Sequence, residues 1–302
     1  MSLTGPRDES RMDVTKVTPQ SLLAQKQHGA AITSITAYDY PTARLCDEAG
    51  IDVLLVGDSL GMAVLGYEDT LPVTMDEMLH HARAVRRAVQ RAMLVVDMPY
   101  GSYQVSVEET LRNGLRFVKE AGCDAVKLEG GAAFADRVRA LTAAEIPVVG
   151  HIGLTPQSLR RMGGYRVQGR TEAAAAQLCD DAVALEQAGA IAVVLEGIPR
   201  ELAAMITSLL PVPTIGIGAG PDCDGQILVF HDAFGLSFRE PAKFVRTFGN
   251  AAELMRQGLE AFRTAVEAKT FPSDAESYHM PQKVSQSVSL EPAAYETSGG
   301  RR

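Results

Sequence analysis

One local design recurs three times in this chain: an Ala-Gly pair, an apolar run, then a carboxylate. Ala49-Gly50 leads to Asp58, Ala121-Gly122 to Glu129, and Ala188-Gly189 to Glu196. Each glycine suits the left-handed residue that closes a helix, and each run suits a strand buried on both faces. A repeating unit of helix, turn, strand and acid restricts the chain to a parallel sheet with helical crossovers. Runs at 93–96 and 146–149 behave alike, ending at Asp97 and running into His151, while 125–128 encloses Lys127. With further strands expected at 32–37, 213–217 and 226–230, the count reaches about eight, which a single-domain (β/α)8 TIM barrel requires. A doubly wound sheet is the alternative, and it needs a reversal of strand order. In either architecture ligands bind at the carboxyl ends of the strands, so the acids mark a site.

Helix starts are legible between the strands. Thr74-x-x-Glu77 and Ser106-x-x-Glu109 match the capping box, Thr155-Pro156 puts proline at a first helical position, and Thr171 precedes an alanine-rich run. Residues 244–268 read as one or two helices packed on the outside or end of the barrel. The catalytic domain is expected over 15–278, between an N-terminal tail, 1–14, and a C-terminal tail, 279–302. Both tails are rich in Ser, Pro, Glu and Arg without sustained periodicity, which favours disorder or a surface-draped path.

A chain of 302 residues, 46% of them hydrophobic, can bury a large core. Its net charge of -8 argues against nucleic acid or an anionic membrane as the main partner. The first twelve residues carry no apolar signal core and no stretch approaches the ~20 apolar residues of a membrane span, so a cytoplasmic protein is expected. Cys46, Cys123, Cys179 and Cys223 are far apart and lack CxxC spacing, which fits reduced cysteines better than zinc or disulfides.

Asp58, Asp97 and Glu129 could give oxygen ligands to one hard cation, for which Mg2+ is the natural choice. Singly, either aspartate could cap a turn and Glu129 could be solvated; at successive strand ends a shared site is favoured. Lys127 has the parity of a residue inside its strand. It needs an acidic partner such as Glu129 or Asp97, and it could also grip an anionic substrate. Gly57-Asp58-Ser59-Leu60-Gly61 matches the G-x-S-x-G elbow of serine hydrolases, with His231-Asp232 downstream. That elbow needs a helix directly after the serine, whereas Gly66, Asp69 and Pro72 favour a loop, so the match reads as coincidence. His80-His81 read as solvated and His231-Asp232 as a helix cap or hydrogen-bonded core pair. Gly216, Gly218 and Gly220 could form an anion nest, but Asp222 and Asp224 behind them would repel phosphate, which leaves tight backbone packing.

Longer motifs carry a family resemblance. Val56-Gly57-Asp58-Ser59-Leu60-Gly61-Met62 with Leu71-Pro72-Val73-Thr74, then Val126-Lys127-Leu128-Glu129-Gly130-Gly131, then Gly150-His151-Ile152-Gly153-Leu154-Thr155-Pro156-Gln157 follow in order. Gly163-Gly164-Tyr165-Arg166-Val167-Gln168-Gly169 and Ile215-Gly216-Ile217-Gly218-Ala219-Gly220 through Asp224-Gly225-Gln226 complete the series. Over roughly 15–278 the chain resembles the ketopantoate hydroxymethyltransferase family. The resemblance implies a magnesium-dependent (β/α)8 barrel that transfers a hydroxymethyl group from 5,10-methylenetetrahydrofolate to 3-methyl-2-oxobutanoate, giving 2-dehydropantoate for pantothenate synthesis. It implies a homodecamer, Asp58, Asp97 and Glu129 as the magnesium site, and Asp58, Ser59, Asp97, Lys127 and His151 as substrate contacts. Glu196 falls on the family's proton-accepting position. Arg166 stands where many relatives carry lysine, and the stretch after about His279 runs past the usual family end. Two other readings stand beside this one: a folate-independent lyase of the isocitrate lyase type, and a catalytically silent barrel that binds an oxo acid.

Overall fold

The computed structural model describes residues 15–281. The tail expected at 1–14 and nearly all of that at 279–302 lie outside the described residues. Eight parallel strands close into one barrel in chain order. They are β1 (Ile32–Thr36), β2 (Val53–Val56), β3 (Met93–Asp97), β4 (Ala125–Glu129), β5 (Val148–Gly153), β6 (Ala192–Glu196), β7 (Thr214–Ile217) and β8 (Gly225–Leu228). The last strand pairs back onto the first, Ile32 opposite Gly225, so the expected barrel is present and the doubly wound sheet is excluded.

Strand limits differ from the sequence reading by one to four residues, for local reasons. The N–H of Ile146 is taken by Leu141 O at the end of the preceding helix, and Pro147 has none to give, so β5 starts at Val148. At the other end of the sheet the N–H of Phe230 donates to Thr36 Oγ1 at 2.9 Å, which ends the extended run and opens a helix.

Side-chain parity organises both layers of the core. Val53 and Leu55, Met93 and Val95, Ala125, Val149, Ala192 and Val194, and Ile215 share one buried cluster inside the barrel. Their alternates Leu54, Val56, Leu94, Val96, Val126, Leu128, Val148, Val193 and Leu195 belong to the second cluster, under the helices. Because successive side chains point to opposite faces, the next inward positions after the interior apolar residues are Asp97, Lys127, Glu129, His151 and Glu196. The strands thus carry an apolar floor and a polar top.

The helices are α1 (Pro19–Gln27), α2 (Tyr40–Glu48), α3 (Leu60–Ala63), α4 (Met75–Ala88), α5 (Val107–Arg116), α6 (Ala135–Ala143), α7 (Leu159–Met162), α8 (Glu172–Gln187), α9 (Arg200–Leu209), α10 (Phe230–Ala233) and α11 (Ala251–Glu267). Leu22 of α1, 1% exposed, joins the interior cluster and plugs the amino-terminal end of the barrel. Gly50, Gly122 and Gly189 have φ of 83°, 65° and 98°, the left-handed closure expected of them. The capping box at Thr74 closes both ways. At Ser106 only the forward bond, from the N–H of Glu109, is made.

Two expectations are corrected and a third is met. Ser59 is followed directly by the one-turn helix α3, where a loop was expected. Gly61 permits that turn: a Cβ there would lie 2.5 Å from Val73 Cγ2. His81 is hydrogen-bonded through Nδ1 to Tyr38 O at 2.6 Å, and only His80 is exposed. The glycines at 216, 218 and 220 serve close packing as read, since a Cβ on Gly218 would meet the Phe244 ring at 2.6 Å and one on Gly220 would meet Arg200 Cβ at 2.4 Å.

Among the described residues, 15–250 form one compact unit and 251–281 belong to a second. In the second, α11 has no buried residue, and Leu254, Leu259 and Phe262 are more than half exposed. Residues 244–250 are not helical. All four cysteines are free. No helix among the described residues is long and apolar enough to cross a membrane.

Candidate active site

All seven residues singled out at strand ends line one cavity of about 380 Å³ at the carboxyl end of the barrel. Strand register places them. Asp97 pairs with Lys127 across β3 and β4, Glu129 with His151 across β4 and β5, and Gly153 with Glu196 across β5 and β6. Gly153, at φ 93°, brings its backbone so near Glu196 that a Cβ would lie 2.2 Å from the Glu196 carbonyl oxygen. The following N–H, of Leu154, donates to that oxygen at 2.8 Å and fixes the backbone that carries the carboxyl group.

Lys127 is buried, and its Nζ lies 2.9 Å from Asp97 Oδ1, the partner its strand position required. Asp97 Oδ2 accepts the N–H of Asp58 at 3.1 Å, which ties the end of β3 to the turn after β2. On the other side Lys127 Nζ is 3.2 Å from His151 Nδ1. His151 Nε2 faces Glu196 Oε2 at 3.2 Å, and Glu129 Oε1 lies 3.6 Å from His151 Nδ1. Ser59 Oγ is paired with the Tyr38 hydroxyl at 2.8 Å. His231 stacks against the Tyr38 ring with centroids 5.5 Å apart, and neither His231 nor Asp232 is hydrogen-bonded to Ser59 among the described residues. The hydrolase arrangement is therefore not assembled here.

The electrostatics follow from four carboxyl groups sharing one buried ammonium. Burial and the neighbouring Asp97 push the Asp58 carboxyl up to about 7. Burial, then Asp58, raises Glu129 well above the ordinary carboxylate range, and burial pushes Glu196 up to about 7 against the pull of Lys127. Burial alone would favour a neutral lysine, yet Asp97, Glu129 and Asp58 together outweigh it and hold the Lys127 ammonium above its ordinary value. Burial and then the Lys127 charge hold His151 well below its ordinary value, so the imidazole is neutral.

Among the described residues no three His, Cys, Asp or Glu side chains form a ready metal cage. A hard cation that keeps water and substrate oxygens asks for less, one or two carboxylates and a surplus of negative charge. Asp58, Asp97 and Glu129 supply that surplus, and buried Asp97 Oδ1 has no well-aligned hydrogen bond of its own. The donor set fits Mg2+.

Three contributors were not singled out in the sequence. Tyr38 lies two residues beyond β1 with the parity of Thr36, and strand-end parity points to it. Gln157, in a single 3-10 turn (Pro156–Ser158), bonds the Asp58 and Glu129 carboxylates from behind, and Tyr103, in the loop after β3, bonds the Gln157 amide and the Glu129 backbone. No local pattern marks Tyr103, and Gln157 stands within a family motif without any evident chemistry.

A sequence model of the ketopantoate hydroxymethyltransferase family matches residues 16–274. The 3-methyl-2-oxobutanoate hydroxymethyltransferase of Koribacter versatilis (strain Ellin345) is 60% identical over 276 residues, which cover 91% of this chain and 94% of the relative. That of Moorella thermoacetica is 54% identical over 264 residues, covering 87% and 98%. Among solved structures, phosphonopyruvate hydrolase complexed with oxalate and Mg++ superposes with a TM-score of 0.54 at 17% identity, covering 89% of this chain and 94% of the other. A 2,3-dimethylmalate lyase of the PEP mutase/isocitrate lyase superfamily gives 0.54 at 17%, covering 89% and 93%. These two share the barrel fold.

Proposed function

The chain belongs to the ketopantoate hydroxymethyltransferase family, and we propose that it transfers a hydroxymethyl group from 5,10-methylenetetrahydrofolate to 3-methyl-2-oxobutanoate, giving 2-dehydropantoate. The observation that carries this reading is Glu196 at the cavity, its carboxyl raised to about 7, facing Asp58, Asp97 and Lys127 across the barrel mouth. A carboxylate base removing a proton beside a carbonyl needs a raised pKa, and burial supplies it.

Asp58 and Asp97 would hold Mg2+, with Glu129 completing the acidic face. Mg2+ bound there supplies the Lewis acidity that polarises the keto oxygen of the oxo acid and stabilises charge developing on it. Lys127 offers a fixed positive charge to the substrate carboxylate and keto oxygens, and Ser59, held by Tyr38, offers a hydroxyl to the same group. Glu196 takes the proton from C3 of the oxo acid. His151, neutral beside Lys127 and with Nε2 3.2 Å from Glu196 Oε2, is placed to donate to that carboxylate once substrate closes the contact. The carbon so exposed forms the new C–C bond to the one-carbon unit of the folate, which the remainder of the cavity receives; the C–N bonds of that unit break, water supplies the hydroxyl oxygen, and tetrahydrofolate leaves. The family reading brings with it a cytoplasmic homodecamer.

The purified protein, stripped with EDTA and repleted with Mg2+, is expected to form 2-dehydropantoate from the oxo acid and methylenetetrahydrofolate. Absence of product under those conditions sinks this reading, and chelator-insensitive activity that depends on Ser59 restores the hydrolase.

A further inference from the structure

We propose that Gln157 is a positioning residue that builds the cation site from behind, an inference that rests on the magnesium reading above. Gln157 is buried in the single 3-10 turn after β5 (Pro156–Ser158) and bonds with both ends of its amide and with its backbone. Its Nε2 donates to Asp58 Oδ2 at 2.8 Å and to Met98 O at 3.0 Å. Its main-chain N–H donates to Glu129 Oε2 at 2.9 Å. Its Oε1 accepts from the Tyr103 hydroxyl at 2.7 Å and from Gln104 Nε2 at 3.3 Å.

Every hydrogen-bonding position of the amide is used, and the two donors on Oε1 decide which way it points. Tyr103 is itself pinned: its oxygen accepts the N–H of Glu129 at 3.1 Å, on the strand that carries two of the site residues. The consequence is a division of oxygens. Asp58 Oδ2 and Glu129 Oε2 are committed to Gln157, which leaves Asp58 Oδ1 and Glu129 Oε1 for the cavity. One uncharged residue therefore fixes two carboxylates, 71 positions apart in the chain, at the wall of one cavity without adding charge to a site already rich in it. Neutral donors behind metal-binding carboxylates commonly govern affinity by fixing ligand orientation.

The test is Mn2+ binding to the full-length protein, followed by electron paramagnetic resonance and calorimetric titration, with melting in EDTA measured in parallel. Gln157→Met keeps the volume and removes the amide; Tyr103→Phe keeps the ring and removes the hydroxyl that orients it. Gln157→Met is expected to bind Mn2+ about 10- to 100-fold more weakly, with melting in EDTA within a few degrees of wild type and turnover recovered at excess Mn2+. Tyr103→Phe is expected to shift affinity the same way by about 3- to 10-fold, and it decides the matter should Gln157→Met fail to fold. Wild-type Mn2+ affinity in either folded variant, whatever its stability, overturns the proposal while leaving the magnesium reading intact. A wild-type protein that takes up no Mn2+ removes both.

Discussion

Lys127 Nζ stands 3.2 Å from His151 Nδ1, and an ammonium has only hydrogens to offer, so Nδ1 accepts and the imidazole proton sits on Nε2. Glu129 Oε1, at 3.6 Å, is beyond hydrogen-bond reach and does not compete for the Nδ1 position. Nε2 lies 3.2 Å from Glu196 Oε2 without an aligned hydrogen bond, a contact of the kind that tightens only when substrate binds. A lysine on β4 thereby sets the tautomer of a histidine on β5, and that histidine stands beside the base on β6.

Removing this imidazole should move the base. A hydrogen bond to a carboxylate favours its ionised form, and the 3.2 Å contact is placed to close in the substrate complex, so His151→Ala is expected to raise the Glu196 pKa there and shift the acid limb of kcat to higher pH, with kcat reduced about 100-fold. His151→Gln, which can keep a donor near the Nε2 position, should shift the limb less. A pH–rate profile of the two variants checks both points, and an unmoved acid limb in His151→Ala would show that the imidazole does not act on Glu196.

Glu196 should also cost the empty protein stability, with a defined sign. Its folded pKa, about 7, lies above the ordinary 4.5, so between these values the folded protein retains a proton that the unfolded chain has released. Stability from this group is complete below about 4.5 and declines as pH rises to about 7. In EDTA, Glu196→Gln should therefore be more stable than wild type by a margin that grows over that window, to roughly 3 kcal/mol, and then levels off. Urea unfolding at pH 5, 6, 7 and 8 measures it; a margin that shrinks with pH contradicts the buried-base assignment.

Lys127→Met leaves Asp97 buried without its cation and leaves the surrounding carboxyls uncompensated. Removing one partner of a buried pair costs on the order of 3–5 kcal/mol, and denaturant unfolding of the EDTA-treated variant should show that loss. Added Mg2+ should return part of it, because the cation replaces the missing positive charge. A variant as stable as wild type without metal would mean that the buried pair does not hold this part of the site together.

Much of this site was legible because the side-chain period of a strand is two. The apolar residues of the barrel floor point straight along their strands to Asp97, Lys127, Glu129, His151 and Glu196, so strand recognition and residue selection were the same step. Gln157 and Tyr103 were hidden for the opposite reason. Their partners lie 99 and 54 positions away, and only closure of the barrel brings those loops together. Helix α3 was missed because Gly66, Asp69 and Pro72 read as loop, whereas a single turn fits ahead of them and the lack of a side chain at Gly61 lets it pack against Val73. The apolar stripe of α11 was visible in sequence, but periodicity alone does not say what covers a helix face.

The most direct measurement is turnover and substrate binding by Glu196→Gln in the presence of Mg2+ and methylenetetrahydrofolate. The amide keeps the shape of the side chain and cannot accept the C3 proton, so binding of 3-methyl-2-oxobutanoate should be retained while 2-dehydropantoate formation falls about 1,000-fold or more. Turnover within tenfold of wild type would contradict the assignment of Glu196 as the base.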